Sequence, residues 1–355
     1  MHIPDGYLSP QTCAVALAVA VPVLGVAAVR VKHRVTTRHV PTLAVLAAVC
    51  FLIMMFNVPI PDGTTAHAVG AALVAILLGP WAAVIAVTVA LVFQALLFGD
   101  GGVLALGANV VNMAILMPFV AYGLYRLISA NATMTSSRRV VAAFVAGYVG
   151  ITAAAVATAV ELGIQPGLFS DAHGAPLYSP YNLAQTIPPM LLAHLTVAGI
   201  AEGILSAAVV AYLQRANLPL LKVNHPGVPV EGPAADAGRT RCRLRPGVVA
   251  LAAITVMAML TPLGLLAPGG AFGEDAPAEL VTALGLSAVP AGMARYADFW
   301  RSAVFPDYLS SSPWTYVVSA IVGIAVVGAV GYAVGLLVVR IRGGRRADLD
   351  EASRI

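Results

Sequence analysis

The chain begins Met1-His2-Ile3-Pro4-Asp5-Gly6-Tyr7-Leu8-Ser9-Pro10, which sets a histidine directly after a free α-amine. The amine, the backbone nitrogen of residue 2 once deprotonated, and the His2 imidazole can bind one divalent ion through two fused chelate rings. Three nitrogens in one plane suit Ni(II), Cu(II) or low-spin Co(II). A second histidine, His67, follows in the loop that starts at Asn57, and its ring would supply a fourth nitrogen to close a square plane. The bulky second residue is expected to protect Met1 from removal, and the segment lacks the basic start of a signal peptide. The terminus is therefore expected to be mature as written.

Such a site must be held by the segments that follow, and composition sets their class. The chain is 59% hydrophobic and 10% charged, with a mean hydropathy of +0.88, far outside the range of soluble domains. It is read as an all-α polytopic membrane protein. A bilayer core roughly 30 Å thick takes about 20 apolar residues per helix. Runs of that kind lie near 11–29, 40–56, 66–79, 81–98, 103–125, 140–162, 185–213, 247–267 and 315–339. The third is short and is cut from the fourth by Gly79-Pro80, which marks it as a partial span or a tilted piece at the outer surface. Abundant Ala, Gly and Val let helix backbones approach closely, so a compact helical bundle is expected.

Lys and Arg should collect in the short cytoplasmic loops. With the amino terminus outside, those loops hold Arg30 to Arg38, Arg126 to Arg139, Arg215 to Arg245 and Arg340 to Arg354, and only Arg295 and Arg301 of the 20 basic residues fall outside. The net charge of +4 thus reports topology and attraction to anionic lipid, and gives no reason to invoke nucleic acid. The carboxyl terminus is expected in the cytoplasm, with His2 and His67 at the outer face. A linker over 214–246, carrying Pro219, Pro226, Pro229 and Pro233, divides a bundle of about seven spans (1–213) from a two-helix C-terminal domain (247–339) and a cytoplasmic tail (340–355). The extracytoplasmic loop 268–314 is too long to be a simple connection.

Gln94, Asp100, Asn109, Asn112, His194 and Glu202 are the polar residues in or beside spans. Each is costly in lipid and reads either as interhelical hydrogen bonding or as part of a polar interior. Asn109 and Asn112, three apart, share a helix face and could line one polar interior together. His194 and Glu202 differ by about 12 Å in depth at roughly 1.5 Å per residue, so they cannot ligate one ion. His194 is expected beside the outer site, and Glu202 near the cytoplasm within reach of a partner. Thr64 or Thr65 is expected to cap the helix after His67. Cys13, Cys50 and Cys242 form no C-x-x-C pair and read as packing or incidental. His33 and His39 read as interfacial, and Asp171 with His173 as a solvated loop.

Met1 to Ser9, Gly63 to His67, Leu78-Gly-Pro-Trp-Ala-Ala83, Gln94 to Gly102, Leu106 to Met113 and His194 to Glu202 resemble the substrate-binding component of nickel/cobalt energy-coupling factor transporters. The resemblance covers residues 1 to about 213. It implies that the Met1 amine, the His2 backbone and side-chain nitrogens and His67 bind the ion, in a bundle of six core spans plus an extra amino-terminal helix. It also implies that the ion is cargo, that no cofactor is permanently bound, and that a membrane coupling protein and two ATPase subunits complete the system in a prokaryotic cytoplasmic membrane. Residues 247–339 resemble the small PDGLE-type companion subunit of that system, through Ala271 to Glu274, Val289 to Met293 and Phe305 to Tyr308. The intact Pro-Asp-Gly-Leu-Glu signature is missing. The companion's implied role is to support loading or folding of the metal loop.

The residues agree with a dependence on partner ATPases. Lys32 and Lys222 are the only lysines, and no G-x-x-x-x-G-K-[ST] loop occurs. A secondary metal permease would place ion-coupling carboxylates at mid-membrane and often show an inverted repeat, whereas Glu161 and Glu202 are read at span ends. A metalloenzyme would need paired groups such as H-E-x-x-H, which are missing. Four planar nitrogens favour Ni(II), although both metals tolerate the site.

Overall fold

A computed structural model describes residues 1–32, 35–60, 65–230, 246–267 and 271–352, with the side chains of 246 and 341–352 excepted. His33, Arg34, Gly63, Thr64 and the linker stretch 231–245 with Cys242 lie outside the described residues, as do 268–270 and 353–355. The spanning elements are α1 (Pro10–Val31), α2 (Val40–Met54), α4 (Pro80–Phe98), α5 (Leu106–Ile128), α6 (Ser137–Gly163), α7 (Leu183–Ala216), α8 (Pro246–Leu260) and α9 (Pro313–Ala352). All eight belong to helices long and apolar enough to cross a bilayer. The all-α polytopic class read from composition is the class observed.

The third expected span, 66–79, is helical only over α3 (Ala71–Leu78). Eight residues rise about 12 Å, well under the roughly 30 Å of a bilayer core. Ahead of α3 the chain makes two-residue strands, β1 (Val58–Pro59) and β2 (Thr65–Ala66), paired antiparallel. Every residue from Thr65 to Gly79 is buried, as non-helical backbone at membrane depth must be. Leu78 and Gly79 line a cleft with Arg30 and Arg126, so the loop and half-helix together carry the chain to the basic end of the bundle. Gly79 (φ 93°) ends α3, and Pro80 starts α4 for the return.

Three spanning helices contain a π-helical turn: Gln94–Phe98 in α4, Val110–Leu116 in α5 and His194–Ala198 in α7. Each holds one of the polar residues singled out in the sequence. Wider π winding leaves the regular ladder and re-aims side chains, which is why such turns recur at functional sites.

Close packing rests on glycine where helices touch. A Cβ on Gly147 of α6 would lie 2.8 Å from the Glu202 carbonyl oxygen on α7, and one on Gly203 would lie 2.9 Å from the Phe144 ring. α1 leaves Val15, Leu17, Val19 and Val21 exposed, on more than one side of the helix, as expected of a span that lipid largely surrounds. α9 lies along α2 and α4, with Gly323 against the Phe51 ring and Gly335 against Val40. The segment between α8 and α9 folds back over the same end of the bundle as the amino terminus. It is tied there by Phe305 N to Leu97 O (2.8 Å), Met293 N to Leu177 O (2.9 Å) and Trp300 Nε1 to Leu96 O (2.9 Å).

A side chain at 323 would have to displace Phe51. Gly323→Val is expected to destabilise the protein by about 1–3 kcal/mol through overpacking, read as a lower melting temperature in detergent. Gly25→Val, at a position with nothing within 4 Å of a new Cβ, is expected to leave it unchanged.

Candidate metal centre

The amino-terminal peptide enters the bundle ahead of α1, and its backbone groups need partners there. Asn109 supplies a side-chain amide that mimics a neighbouring strand. Its Oδ1 accepts from Ile3 N (2.8 Å) and its Nδ2 donates to Ile3 O (3.1 Å). Gly102 N also donates to Ile3 O (2.8 Å). Two residues on, the Asp5 carboxylate accepts from Val103 N (3.2 Å), Leu104 N (2.8 Å) and Ala105 N (3.2 Å). Gly6 turns the chain at φ 89°, where a Cβ would lie 2.9 Å from the Met293 carbonyl oxygen, so only glycine fits. Tyr7 O accepts from Ser179 N (2.9 Å), Tyr7 OH donates to Asp275 O (2.9 Å), and Ser9 N donates to Gln165 Oε1 (3.0 Å).

This grip leaves Met1 and His2 each only 3% exposed. The α-amine pairs with Glu274 Oε1 at 3.0 Å, and His2 Nδ1 lies 3.1 Å from Asp100 Oδ1. The His2 and His67 rings stand 5.1 Å apart between centroids, inclined by 31°. His67 Nδ1 lies 3.0 Å from Ala68 O. A carbonyl can only accept, so Nδ1 carries the proton and Nε2 keeps its lone pair. His194 repeats the arrangement, with Nδ1 2.8 Å from Met190 O. The Nε2 atoms of His2, His67 and His194 are all buried with no hydrogen-bond partner among the described residues.

Burial pushes the His2 imidazole down to about 4, the nearby amine adding to the effect and Glu274 opposing it. The His2 ring is thus neutral at physiological pH, the state in which imidazole binds a metal. Burial raises the Asp100 carboxyl to about 6, its hydrogen bond from Tyr308 opposing.

The remaining residues from the sequence divide by role. Gln94 Nε2 donates to Asp100 Oδ2 (3.2 Å) and to Tyr308 OH (3.0 Å), and Tyr308 OH also donates to Asp100 Oδ2. Asn112 does not share Asn109's site. The π turn carries it round to Thr158 Oγ1 (3.1 Å) and Glu161 Oε2 (2.7 Å) on α6. Glu202 is not at the basic end awaiting a partner. It is fully buried, and its Oε2 accepts from Val69 N and Gly70 N, both at 2.8 Å, directly after the His67 loop. Glu202 therefore satisfies the start of α3, for which Thr64 or Thr65 was expected; Thr64 lies outside the described residues, and Thr65 lies in β2 with a hydroxyl that has no partner among the described residues. Asp171 and His173 form an exposed loop turn as expected.

Asp5, Glu274 and Tyr308 received no individual role from the sequence. The first had a readable signal, an acidic residue before glycine in an otherwise apolar terminal segment. The other two act across more than 200 residues of chain. Tyr308 sits in a turn where Asp307, Tyr308 and Leu309 have φ of 49°, 57° and 53°. Left-handed backbone costs a residue with a side chain roughly 1–2 kcal/mol. The Tyr308 ring stacks on Phe98 with centroids 4.8 Å apart, and Ser319 Oγ donates to its carbonyl (2.7 Å), which holds the turn in place.

Similarity to known proteins gives the class of this membrane bundle, a transition-metal transport protein. Residues 2–220 match the family described as cobalt uptake substrate-specific transmembrane region, and the chain belongs to it. A fused nickel transport protein from Rhodobacter capsulatus is 46% identical over 97% of this chain and 100% of its own length. A probable fused nickel transport protein from Lactiplantibacillus plantarum is 43% identical over 92% of this chain and 95% of its own. A cobalt transport protein from Geobacter sulfurreducens is 33% identical, covering 74% and 72%. A crystal structure of a transition metal transporter covers 64% of this chain and 99% of its own at 56% identity, with a TM-score of 0.57.

Asn109→Leu removes both side-chain bonds to Ile3 and leaves Ile3 N buried and unpaired, at about 1–3 kcal/mol, while Ile3 O keeps Gly102 N. The terminus is expected to loosen, so that an amine-selective aldehyde probe labels Met1 rapidly in the variant and slowly in the unsubstituted protein.

Proposed function

We propose that the chain captures Ni(II) or Co(II) at the outer face of a prokaryotic cytoplasmic membrane, as the substrate-specific component of an ATP-driven importer of the energy-coupling factor type. The observation that carries this reading is the pair of buried imidazoles, 5.1 Å apart between ring centroids, next to the terminal amine, with a His67 Nε2 that has no hydrogen-bond partner among the described residues. Burial disfavours protonating such nitrogens, whereas a divalent ion is the ligand that such lone pairs hold. The ligand set is the Met1 amine, the His2 backbone and imidazole nitrogens, and His67 Nε2. Closing the chelate takes the amine off Glu274 and turns the His2 ring so that Nδ1 leaves Asp100. The hydrated ion exchanges its waters for four nitrogens as the residue 2 amide gives up its proton.

Residues 1–213 form the binding bundle. Residues 247–339 act as a fused companion that covers the site, joined by the 214–246 linker and followed by the 340–355 tail. The amino terminus is outside and the carboxyl terminus cytoplasmic. Nickel is favoured by planar nitrogen donors and by relatives named for nickel transport that span more than nine-tenths of the chain. ATP hydrolysis falls to two partner subunits acting through a membrane coupling protein.

Two extra residues placed before Met1 remove the free amine from the chelate. Ni(II) binding, followed by absorbance and calorimetry, is expected to lose its planar-nickel spectrum in the extended chain; unchanged binding would move the site elsewhere. Acid should also weaken binding. The folded His2 value of about 4 lies below the ordinary 6.5, so this ring stays neutral until roughly pH 4. Between pH 8 and 5 the amide proton alone then imposes about tenfold weaker affinity per pH unit. An affinity flat over that range would exclude the amide ligand.

A further inference from the structure

We propose that Glu202 is the positioning residue of the metal loop: its carboxylate pins the backbone just after His67 and thereby aims His67 Nε2 at the ion. This rests on the metal-capture reading above. The loop reaches α3 through His67-Ala68-Val69-Gly70, and these residues bury their amides where no water can serve them. Glu202 Oε2 takes Val69 N and Gly70 N together at 2.8 Å. With those two amides fixed, the Ala68 carbonyl between them and His67 is fixed as well. That carbonyl receives His67 Nδ1 at 3.0 Å, which sets the tautomer and leaves Nε2 with its lone pair and no partner among the described residues. Outer groups that orient a ligating histidine in this way are worth 10- to 100-fold in metal affinity.

Two further observations separate this from a generic buried carboxylate. Gly70 has φ 81°, and a Cβ there would lie 3.1 Å from Ile53 Cδ1 and 3.3 Å from Cys50 Sγ; the loop is thus packed from the α2 side and held from the α7 side. The Glu202 backbone is itself fixed, with its carbonyl against Gly147 of α6. No cation lies within ion-pair distance of Glu202 among the described residues. Its charge is offset by the amides at the start of α3, so the contact is to backbone and depends on reach more than on charge.

The test compares Glu202→Asp, which keeps the charge and shortens the reach by one methylene, with Glu202→Gln, which keeps the reach and an acceptor oxygen. Nickel dissociation from the full chain in detergent is expected to accelerate 10- to 100-fold in the Asp variant and by less than about threefold in the Gln variant. Amide hydrogen exchange across residues 66–70, measured without metal, is expected to speed up in the Asp variant only. The reverse order, Gln weakened and Asp intact, would show that charge at a distance is what matters and would overturn the proposal. Unchanged exchange in the Asp variant would overturn it regardless of nickel. If the loop exchange follows reach while the unsubstituted chain binds no nickel, the metal reading falls and the loop-positioning contact stands.

Discussion

A polar chain end inside a membrane bundle sets the terms for the rest of this structure. Each donor and acceptor on residues 1–9 that leaves water must find a partner, because an unpaired buried polar group costs more than an intramolecular hydrogen bond returns. Asn109 answers Ile3 on both its polar groups, Asp5 takes three successive amides, and Gly6 admits the turn against Met293. Only with those debts of hydrogen bonding settled can the amine and His2 sit deep enough to meet His67. The half-helix α3 follows from the same constraint, since the chain before it must stay irregular to present His67 and so must be buried throughout.

The C-terminal segment is part of that enclosure. Glu274 holds the amine, Ala271 makes a parallel bridge with Thr65, and Tyr308 reaches Asp100 from a strained turn. Meanwhile α9 lies along α2 in close contact. Fusing the two parts in one chain keeps these contacts intramolecular, which raises the effective concentration of the covering loop at the site. Strain stored at Asp307 to Leu309 is tolerated because ring stacking and hydrogen bonds to Gln94, Asp100 and Ser319 determine where Tyr308 goes.

Much of this was legible in the sequence, and the reasons are physical. Composition and run length reported the helical membrane class, and Gly79-Pro80 marked the broken third segment. That His2 and His67 come together was legible because the distribution of basic residues puts both at the same face of the membrane; that they hold a metal is the proposal. Less was legible wherever the helical ladder departs from 3.6 residues per turn. The π turn in α5 separated Asn112 from Asn109, and counting residues along a helix put Glu202 near the cytoplasm. In fact α3 begins at mid-bundle, and Glu202 meets its first amides there. Contacts such as Glu274 to Met1 close a loop of 273 residues, and no local pattern encodes them.

In the proposed site the ion is held by nitrogen donors from the chain terminus and His67 in one plane. Nickel K-edge absorption on the loaded, native-terminus protein measures this directly. The expected result is a four-coordinate planar edge with nitrogen-only first-shell scattering and outer-shell scattering from two imidazoles. A six-coordinate edge dominated by oxygen, or one without imidazole scattering, would contradict it.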